Sequence, residues 1–267
     1  MALNVVNFAT KEFYFSQKLN TFTAKNIGGA DQIFNYNENT VRALGHFLTN
    51  TQSKGYGSYS WKSKVVLDAL SKIRENDYLF YCDSGSLFLK PVSNLINLLE
   101  NSKKEIMCFS LPLIEKQWTK HNTLMTISKN PEIDKNTPQI LASYFLIKKT
   151  KETVCFFKKF ESYCSDEELI TDATKDQKTK DLISHRHDQS IFSLMCKNNK
   201  KLTIILTDIS DYGIFPEKYY KHNPKYLFNK SKVNKASGII LLFRKQNPIL
   251  YGVKYLIKMT LRWLGFQ

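Results

Sequence analysis

The chain has 267 residues, of which 42% are hydrophobic and 13% aromatic, which excludes a disordered protein and fits one large α/β domain or a domain with an appendage. Its five cysteines are widely spaced and form no Cys-x-x-Cys pair, so they indicate a reduced, cytoplasmic protein and exclude a disulfide framework. The net charge of +15 predicts an anionic partner, either nucleic acid, anionic lipid or a phosphorylated substrate.

Apolar residues recur along the chain with periods that alternate between strand and helix. The N-terminus has no basic segment, so we expect a first strand there and not a signal peptide. Strands are predicted at 3–8, 32–36, 78–80, 87–89, 105–111, 140–148 and 202–207. Helices are predicted at 11–20, 39–48, 61–74, 91–100, 152–164 and 188–196. We expect 112–137 to be irregular with one short helix near Leu124, and 165–181 to be exposed. The alternation predicts an α/β fold, with a mixed, largely parallel sheet flanked by helices.

A basic segment follows residue 216, and we expect a domain over 1–215 and an extension over 216–267. The extension ends in a predicted helix that begins after Asn247-Pro248, a cap followed by proline in the first turn. Lys254, Lys258 and Arg262 lie on one stripe of this helix, and apolar residues line another. Such a basic amphipathic helix either lies at an anionic membrane surface or packs its apolar stripe on the core. The longest apolar run, 239–243, is too short to span a bilayer.

The segment Tyr81-Cys82-Asp83-Ser84-Gly85 follows the third predicted strand and delivers one carboxylate into a turn. Ligands of open α/β sheets bind at the carboxyl ends of the strands. Asp83 can hold a divalent cation there, and the cation can hold a diphosphate. The alternative interpretation is a turn without chemistry, in which Gly85 serves only the backbone.

Three further polar segments add to this candidate site. Lys62, in Trp61-Lys62-Ser63-Lys64, opens the helix that leads into the Asp83 strand and either reaches the same pocket or faces water. His185-Arg186-His187-Asp188-Gln189 opens another helix, whose N-terminus favours anions, and Asp188 is either a general base or the helix cap. Gln139 precedes the strand at 140–148 and suits substrate hydroxyls. No Gly-x-Gly-x-x-Gly, Walker lysine motif, Gly-x-Ser-x-Gly elbow or zinc spacing is present.

The order of these blocks resembles that of small GT-A-fold glycosyltransferases that build bacterial and viral surface polysaccharides. The resemblance covers about residues 3 to 210. Its matching segments are 8–10, 55–57 with Trp61-Lys62, 81–85, 118–120, 139–143 and 185–190.

This resemblance implies a nucleotide-sugar donor bound by Ala9, Thr10, Lys62, Asp83, Ser84, Gly85, Gln139, His185, Arg186, His187 and Gln189. The metal-binding carboxylate of the fold maps to Asp83, which we expect to hold Mn or Mg with help from His187. The usual second acid of that motif is absent, because Gly85 occupies its position. Asp188 is the candidate general base.

We therefore expect a cytoplasmic enzyme, peripheral to the inner face of the membrane, that transfers a sugar to a cell-surface glycan of capsule, O-antigen or lipopolysaccharide type. A lipid-linked glycan is an expected acceptor, and nucleic acid is not an expected partner. Two alternatives from other classes stay open: a non-catalytic nucleotide-sugar or sugar binding module, and a basic nucleic-acid-binding protein.

Overall fold

The computed structural model describes residues 1–45, 55–172, 174, 179–207, 210–211, 226–227, 229, 238–243 and 248–265. The strands are β1 (Leu3–Ala9), β2 (Gln32–Asn37), β3 (Tyr78–Cys82), β4 (Ser86–Phe88), β5 (Ile106–Ile114), β6 (Pro138–Lys148), β7 (Thr203–Thr207), β8 (Ser210–Asp211) and β9 (Ile240–Leu242). The helices are α1 (Tyr14–Thr23), α2 (Glu38–Ala43), α3 (Gly55–Ser58), α4 (Trp61–Lys72), α5 (Ser93–Asn101), α6 (His121–Ile127), α7 (Pro131–Asp134), α8 (Lys151–Cys164), α9 (Glu167–Ile170), α10 (Asp188–Asn198) and α11 (Pro248–Trp263). Two short 3-10 helices (Lys11–Phe13 and Glu115–Gln117) and a π-helical segment (Ala24–Gly28) lie between them.

The main sheet has six strands in the order β2-β1-β3-β6-β5-β7. All neighbouring pairs are parallel except the two that β6 makes, with β3 and with β5. This confirms the mixed, largely parallel sheet that the sequence predicts. Because β6 is reversed, its first residues lie at the edge where β3 and β5 end, and the Asp83 N–H donates to the Ser143 carbonyl at 2.8 Å. Groups that follow β3 and β5 therefore meet groups that open β6.

Helices cover one face of this sheet, and a helix with a small second sheet covers the other. Successive side chains of a strand point to opposite faces, so each strand contributes to both cores. On β3, Leu79 and Tyr81 pack with α4, α8 and α10, whereas Tyr78, Phe80 and Cys82 pack with α5, β4 and β9. All five side chains of β3 are buried, as is typical of a strand that has both faces covered.

The second sheet has the order β4-β9-β8, and it draws on the segment that the sequence assigns to a separate extension. Its β9 pairs with β4, and its Ile240 and Leu242 are buried in the same core as Phe88. The boundary predicted between residues 215 and 216 lies outside the described residues, so it stays a prediction.

The segment 112–137 contains more regular structure than the sequence predicts. β5 continues to Ile114, and two short helices, α6 and α7, follow the 3-10 turn. The reason is tertiary contact: Leu124 and Ile127 of α6 are buried in the helix-covered core, although their surroundings in the sequence are polar. The segment 165–181, predicted to be exposed, likewise contains α9, whose Leu169 and Ile170 are buried.

The last helix, α11, begins at Pro248 as predicted, whereas its predicted cap Asn247 lies outside the described residues. Tyr251 is buried against Leu241 and Phe243 near the start of the helix. Most other described apolar side chains of α11 are at least 45% exposed. The helix therefore does not pack its apolar stripe on the described core. Within the described residues, no helix combines the length and apolar character needed to cross a bilayer.

Candidate active site at the ends of β3 and β5

Asp83 lies directly after β3, where the sheet edge is accessible. Its side chain is 40% exposed, and the Tyr81 hydroxyl donates to its Oδ1 at 2.7 Å. Tyr81 and Asp83 are two residues apart in extended chain, so their side chains leave the backbone on the same side. Burial and the neighbouring carboxylate raise the pKa of Tyr81 well above its usual range, so this hydroxyl stays a donor. One oxygen of Asp83 is thus held by the protein while the carboxylate still faces solvent.

Lys62 joins this turn to the histidine-rich segment. It lies in the first turn of α4, with its side chain 4% exposed, so it is not the surface lysine that the alternative interpretation expects. Its Nζ donates to the Ala142 carbonyl at 2.9 Å, and it lies 2.6 Å from Asp188 Oδ2 and 3.6 Å from Asp83 Oδ1. The ammonium also lies 5.0 Å from the centre of the Tyr81 ring. The two predicted clusters therefore converge on one buried cation.

Asp188 is the first residue of α10 and does not cap it, which corrects the capping interpretation. The N-cap position belongs to His187, and the Asp188 carboxylate turns toward Lys62 instead. The contact is a close ion pair without well-aligned hydrogen-bond geometry at Oδ2. Burial raises the pKa of Asp188, and Lys62 opposes that rise. Burial alone lowers the pKa of Lys62, but the carboxylates of Asp188 and Asp83 bring it above its usual value.

The two histidines of the segment have different environments. His185 Nε2 lies 3.0 Å from the Leu169 carbonyl and its Nδ1 accepts from the Lys120 N–H, so both nitrogens are used by the fold. Burial lowers its pKa well below the usual value, with Lys120 and His187 adding to the effect, and the ring is neutral.

His187 has one ring nitrogen without a hydrogen bond. Its Nδ1 lies 2.8 Å from the Ile170 carbonyl, whereas its buried Nε2 makes no hydrogen bond and lies 3.7 Å from Asp172 Oδ1. Its backbone has φ +50°, a left-handed conformation that costs a non-glycine residue about 1–3 kcal/mol. An N–H donated to a carbonyl leaves the opposite nitrogen as a lone pair, which is how histidines are presented to metals.

The other predicted residues lie around this centre. Arg186 stacks on Trp118, with 4.2 Å from the guanidinium carbon to the ring centre, and Gln189 is buried. Gln139 is fully buried, its amide bonded within the protein, so any effect it has on a ligand acts through its neighbours.

The remaining predicted nucleotide-binding residues lie at the ends of β3 and β1. Ser84 is buried, and the Gly85 carbonyl accepts from the Phe243 N–H at 3.0 Å; the φ of Gly85 is not positive. Ala9 and Thr10 end β1 at the same edge of the sheet, since β1 and β3 are parallel.

The described part of the protein alone offers too few donors for a divalent cation, so a bound ligand would have to complete its coordination. Asp83 supplies one accessible carboxylate, and His187 supplies its Nε2, which makes no hydrogen bond and lies 3.7 Å from Asp172 Oδ1. Among the residues that the structure describes, no three His, Cys, Asp or Glu side chains cluster closely enough to form a metal site by themselves. Mg and Mn commonly use one or two protein ligands with phosphate oxygens and water, so the donor set suits a cation bound with a diphosphate.

Sequence comparison does not assign the chain, since no family model and no curated protein matches it. Comparison of folds is informative. The structure of mouse xyloside xylosyltransferase 1 aligns with 91% of this chain and 97% of its own (TM-score 0.52, 8% identity). A glycosyltransferase involved in the glycosylation of the major capsid of PBCV-1 aligns over 96% and 98% (TM-score 0.50, 11% identity). The bifunctional glycosyltransferase WbbM gives a TM-score of 0.56 at 11% identity, over 92% of this chain and 46% of WbbM.

These similarities establish the fold. The chain has the architecture of GT-A-fold glycosyltransferases, as its motifs predict. At identities of 8% and 11%, the likeness does not by itself carry over an activity.

Proposed function

We propose that this protein is a glycosyltransferase that moves a sugar from a nucleotide-diphosphate donor to a cell-surface glycan. The observation that carries the proposal is the convergence of Asp83 and Asp188 on the buried Lys62 at the carboxyl edge of the sheet. Ligands bind at that edge in α/β folds, and this sheet has the GT-A arrangement.

The charges suit departure of a nucleoside diphosphate. As the bond to the anomeric carbon breaks, negative charge grows on the leaving phosphate, and a preorganised cation stabilises it. Lys62 is held in place by Asp188 and the Ala142 carbonyl, and Arg186 lies at the entrance of α10, whose N-terminus favours anions. We assign diphosphate binding to these groups, and nucleotide contacts to Ala9, Thr10, Ser84 and Gly85.

Asp83 and His187 would hold Mn or Mg. When bound, the cation would neutralise charge on the diphosphate. The Tyr81 hydroxyl donates to one oxygen of Asp83 and fixes its position, while the carboxylate stays open to solvent.

Asp188 stays our candidate general base for the acceptor hydroxyl. A base must reach the proton that it takes, and the carboxylate is engaged by Lys62 at 2.6 Å. The role therefore requires that Lys62 shift toward the bound diphosphate and release Asp188. Otherwise Asp188 serves to position Lys62.

The direct test combines a binding screen with a transfer assay. Nucleotide sugars are screened by thermal shift with and without Mn, because a ligand of the native state raises its stability. The stabilising donor is then assayed for transfer and hydrolysis with the wild type, Asp83→Asn and Asp188→Asn. We expect the rate of sugar transfer to fall at least tenfold in both variants. Full activity in both would end the assignment.

The same experiment separates the alternatives. A non-catalytic binding module would be stabilised by a nucleotide sugar but would neither transfer nor hydrolyse it. A nucleic-acid-binding protein would show strong, salt-dependent affinity for DNA or RNA and none for uridine or guanosine diphosphate.

We further propose that α11 holds the enzyme at an anionic membrane, where a lipid-linked acceptor would lie. Support comes from the exposed apolar side chains of the helix, which include Leu256 (67%) and Ile257 (56%), together with the basic residues of the segment.

Vesicle sedimentation tests this placement with the full chain. The variant Leu256→Glu/Ile257→Glu should lose binding to vesicles that contain phosphatidylglycerol. A matched control is Leu98→Glu on α5, since Leu98 is 49% exposed on a different helix. Unchanged sedimentation of the α11 variant, or equal loss in the control, would refute the anchor.

A further inference from the structure

Helix α1 exposes two large aromatic side chains to solvent. Phe15 is 50% exposed and Phe22 is 63% exposed. They lie seven residues apart, which places them on one face of the helix about 10 Å from each other. The opposite face is buried through Ser16, Gln17 and Asn20. We call the exposed pair the aromatic ridge, because exposed apolar surface of this kind often marks an interaction site.

Lysines accompany the aromatic ridge. Lys11, Lys18 and Lys25 recur at intervals of seven residues and are exposed, and Glu12 is the only acid in this stretch of sequence. Lys18 is a neighbour of both aromatic residues, because it lies three residues after the first and four before the second. Aromatic rings beside lysines are typical of helices that lie in the interface of an anionic bilayer.

The lysines also argue against a second copy of the chain as the partner. Most homodimers are two-fold symmetric, so the same surface would face itself. Lys18 and Lys25 would then approach their own counterparts, and like charges that meet in an interface are unfavourable. An anionic bilayer accommodates both the rings and the lysines.

The aromatic ridge borders the part of the molecule that carries α11. Phe15, Leu19 and Thr23 form one row along α1, since successive members are four residues apart. The Thr23 hydroxyl accepts from the last backbone N–H of β4 at 3.2 Å. Leu87, in the same strand, packs on the apolar cluster that includes Tyr251 of α11. Both helices therefore contact β4, on the side of the main sheet that the second sheet covers.

The turn that carries Asp83 belongs to the same region. The Gly85 carbonyl accepts from the Phe243 N–H at 3.0 Å, and the ring centre of Phe243 lies 6.1 Å from that of Tyr251 in α11. β4 itself begins at Ser86, directly after the turn. A bilayer that contacts α1 and α11 would therefore lie near the candidate diphosphate site.

We propose that α1 is a second membrane-contacting helix, which inserts Phe15 and Phe22 into an anionic bilayer and, with α11, fixes the orientation of the enzyme on the lipid surface. This inference rests on the proposed function, in which the acceptor is linked to a lipid. A single helix leaves the molecule free to turn about that helix, whereas two contacts hold the Asp83 turn at the level where the acceptor sugar leaves the headgroups.

Vesicle sedimentation of the full chain tests the aromatic ridge. Phe15→Ser/Phe22→Ser should lower binding to vesicles that contain phosphatidylglycerol by roughly tenfold, because two rings no longer enter the lipid. Met125→Ser/Ile133→Ser is a matched control, since these side chains are 49% and 66% exposed on α6 and α7. The control should bind within about twofold of wild type. Equal loss in the two variants, or no loss in the first, would overturn the proposal.

Charge reversal tests the lysines. Lys18→Glu/Lys25→Glu should weaken binding to the same vesicles by roughly tenfold, since two attractions to the headgroups become repulsions. Lys151→Glu/Lys158→Glu makes the same change at the same spacing on α8, which packs on the other face of the main sheet. Equal loss in both would mean that only net charge matters, and would refute a contact through α1.

A fluorescent label reports the contact itself. Among the described cysteines only Cys155 is exposed, so Phe22→Cys in a Cys155→Ser background takes an environment-sensitive label at one site. We expect its emission to shift to the blue when vesicles are added, and that of a label on Met125→Cys in the same background to stay unchanged. No shift at position 22 would refute the contact. A shift that follows protein concentration without vesicles would show a second copy as the partner and overturn the proposal.

The label and the transfer assay separate this inference from the proposed function. A blue shift in a protein that neither binds nor transfers a nucleotide sugar would refute the proposed function but support the membrane contact. Transfer to a water-soluble acceptor without any shift of the label would support the proposed function and refute the contact.

Discussion

The Lys62 ammonium lies 2.6 Å from the Asp188 carboxylate, and both side chains are 4% exposed. The pair joins the first turn of α4 to the first turn of α10, and Asp83 lies 3.6 Å from the same nitrogen. A buried ion pair of this kind adds little net stability, because desolvation offsets the attraction, yet removal of one partner leaves a buried charge. The proposed function gives this pair a role, because Lys62 would supply a cation to the diphosphate of the donor.

Substitution of Lys62 should be far more costly than substitution of its neighbour in the same helix. Lys62→Met leaves Asp188 buried without a partner and should lower the free energy of unfolding by about 3–5 kcal/mol. Lys64→Met breaks a partly exposed pair with Glu161 and should cost about 1 kcal/mol or less. Urea denaturation measures both, and similar losses in the two variants would mean that Lys62 is not part of a critical buried pair.

Tyr81→Phe should weaken nucleotide binding, whereas Tyr78→Phe on the same strand should not. Tyr81 donates to Asp83, and Tyr78 donates to Glu100 away from the site. Each change removes a hydrogen bond to a carboxylate and should cost about 1.5–3 kcal/mol of stability. Only the first leaves Asp83 less firmly held, so nucleoside diphosphate affinity in Mn should fall roughly tenfold in Tyr81→Phe alone. Titration calorimetry would contradict this if both variants bind as the wild type does.

Acid should destabilise the protein through His185. The pKa of His185 in the folded protein is far below that of the unfolded chain, about 6.5, so the unfolded state binds the extra proton. The stability due to the neutral ring is complete above that pH and is lost as the pH falls below it, by about 1.4 kcal/mol per unit for one proton.

Urea denaturation from pH 7.5 to 5.5 should therefore show a steeper decline for the wild type than for His185→Gln. The exposed His121 on α6 offers the control, since His121→Gln should keep the wild-type slope. Parallel curves for the wild type and His185→Gln would show that His185 is not the acid-sensitive group.

Two glycines should respond in opposite ways to alanine. A Cβ at Gly28 would lie 2.8 Å from Cδ1 of the buried Phe88, and such overpacking costs about 1–3 kcal/mol. A Cβ at Gly252 in α11 meets nothing within 4 Å, so Gly252→Ala should raise helicity and stability by up to about 1 kcal/mol. Circular dichroism with urea denaturation follows both. A loss of helicity in Gly252→Ala would contradict the helical assignment of this segment.

Local patterns predict the fold well where they are strong. The alternating strands and helices, the Pro248 start of α11 and the turn after β3 follow from periodicity and turn residues. The reversal of β6 does not, because an apolar run such as 140–148 has no direction of its own. The burial of Leu124 and Leu169 among polar neighbours is likewise decided by tertiary contacts.

The sequence predicts the titratable residues of the candidate site better than it predicts the residues that bond to them. Asp83, Lys62 and the histidine-rich segment are visible as polar groups that follow strands or open helices. Glu115 is not, since nothing near it in the sequence reveals that Lys197 will neutralise it inside the protein. Tyr81 had a usable signal: an i, i+2 relation to Asp83 along extended chain.

The most direct test of a diphosphate site at the end of β3 is titration calorimetry of a nucleoside diphosphate with wild-type protein, Asp83→Asn and Asp77→Asn, each with and without Mn. Asp77 precedes β3 and binds backbone N–H groups at the opposite end of the strand, so it is a matched control. We predict that the wild type and Asp77→Asn bind one uridine or guanosine diphosphate, and that Asp83→Asn binds it at least tenfold more weakly. No binding by the wild type, or undiminished binding by Asp83→Asn, would contradict a diphosphate site at the end of β3.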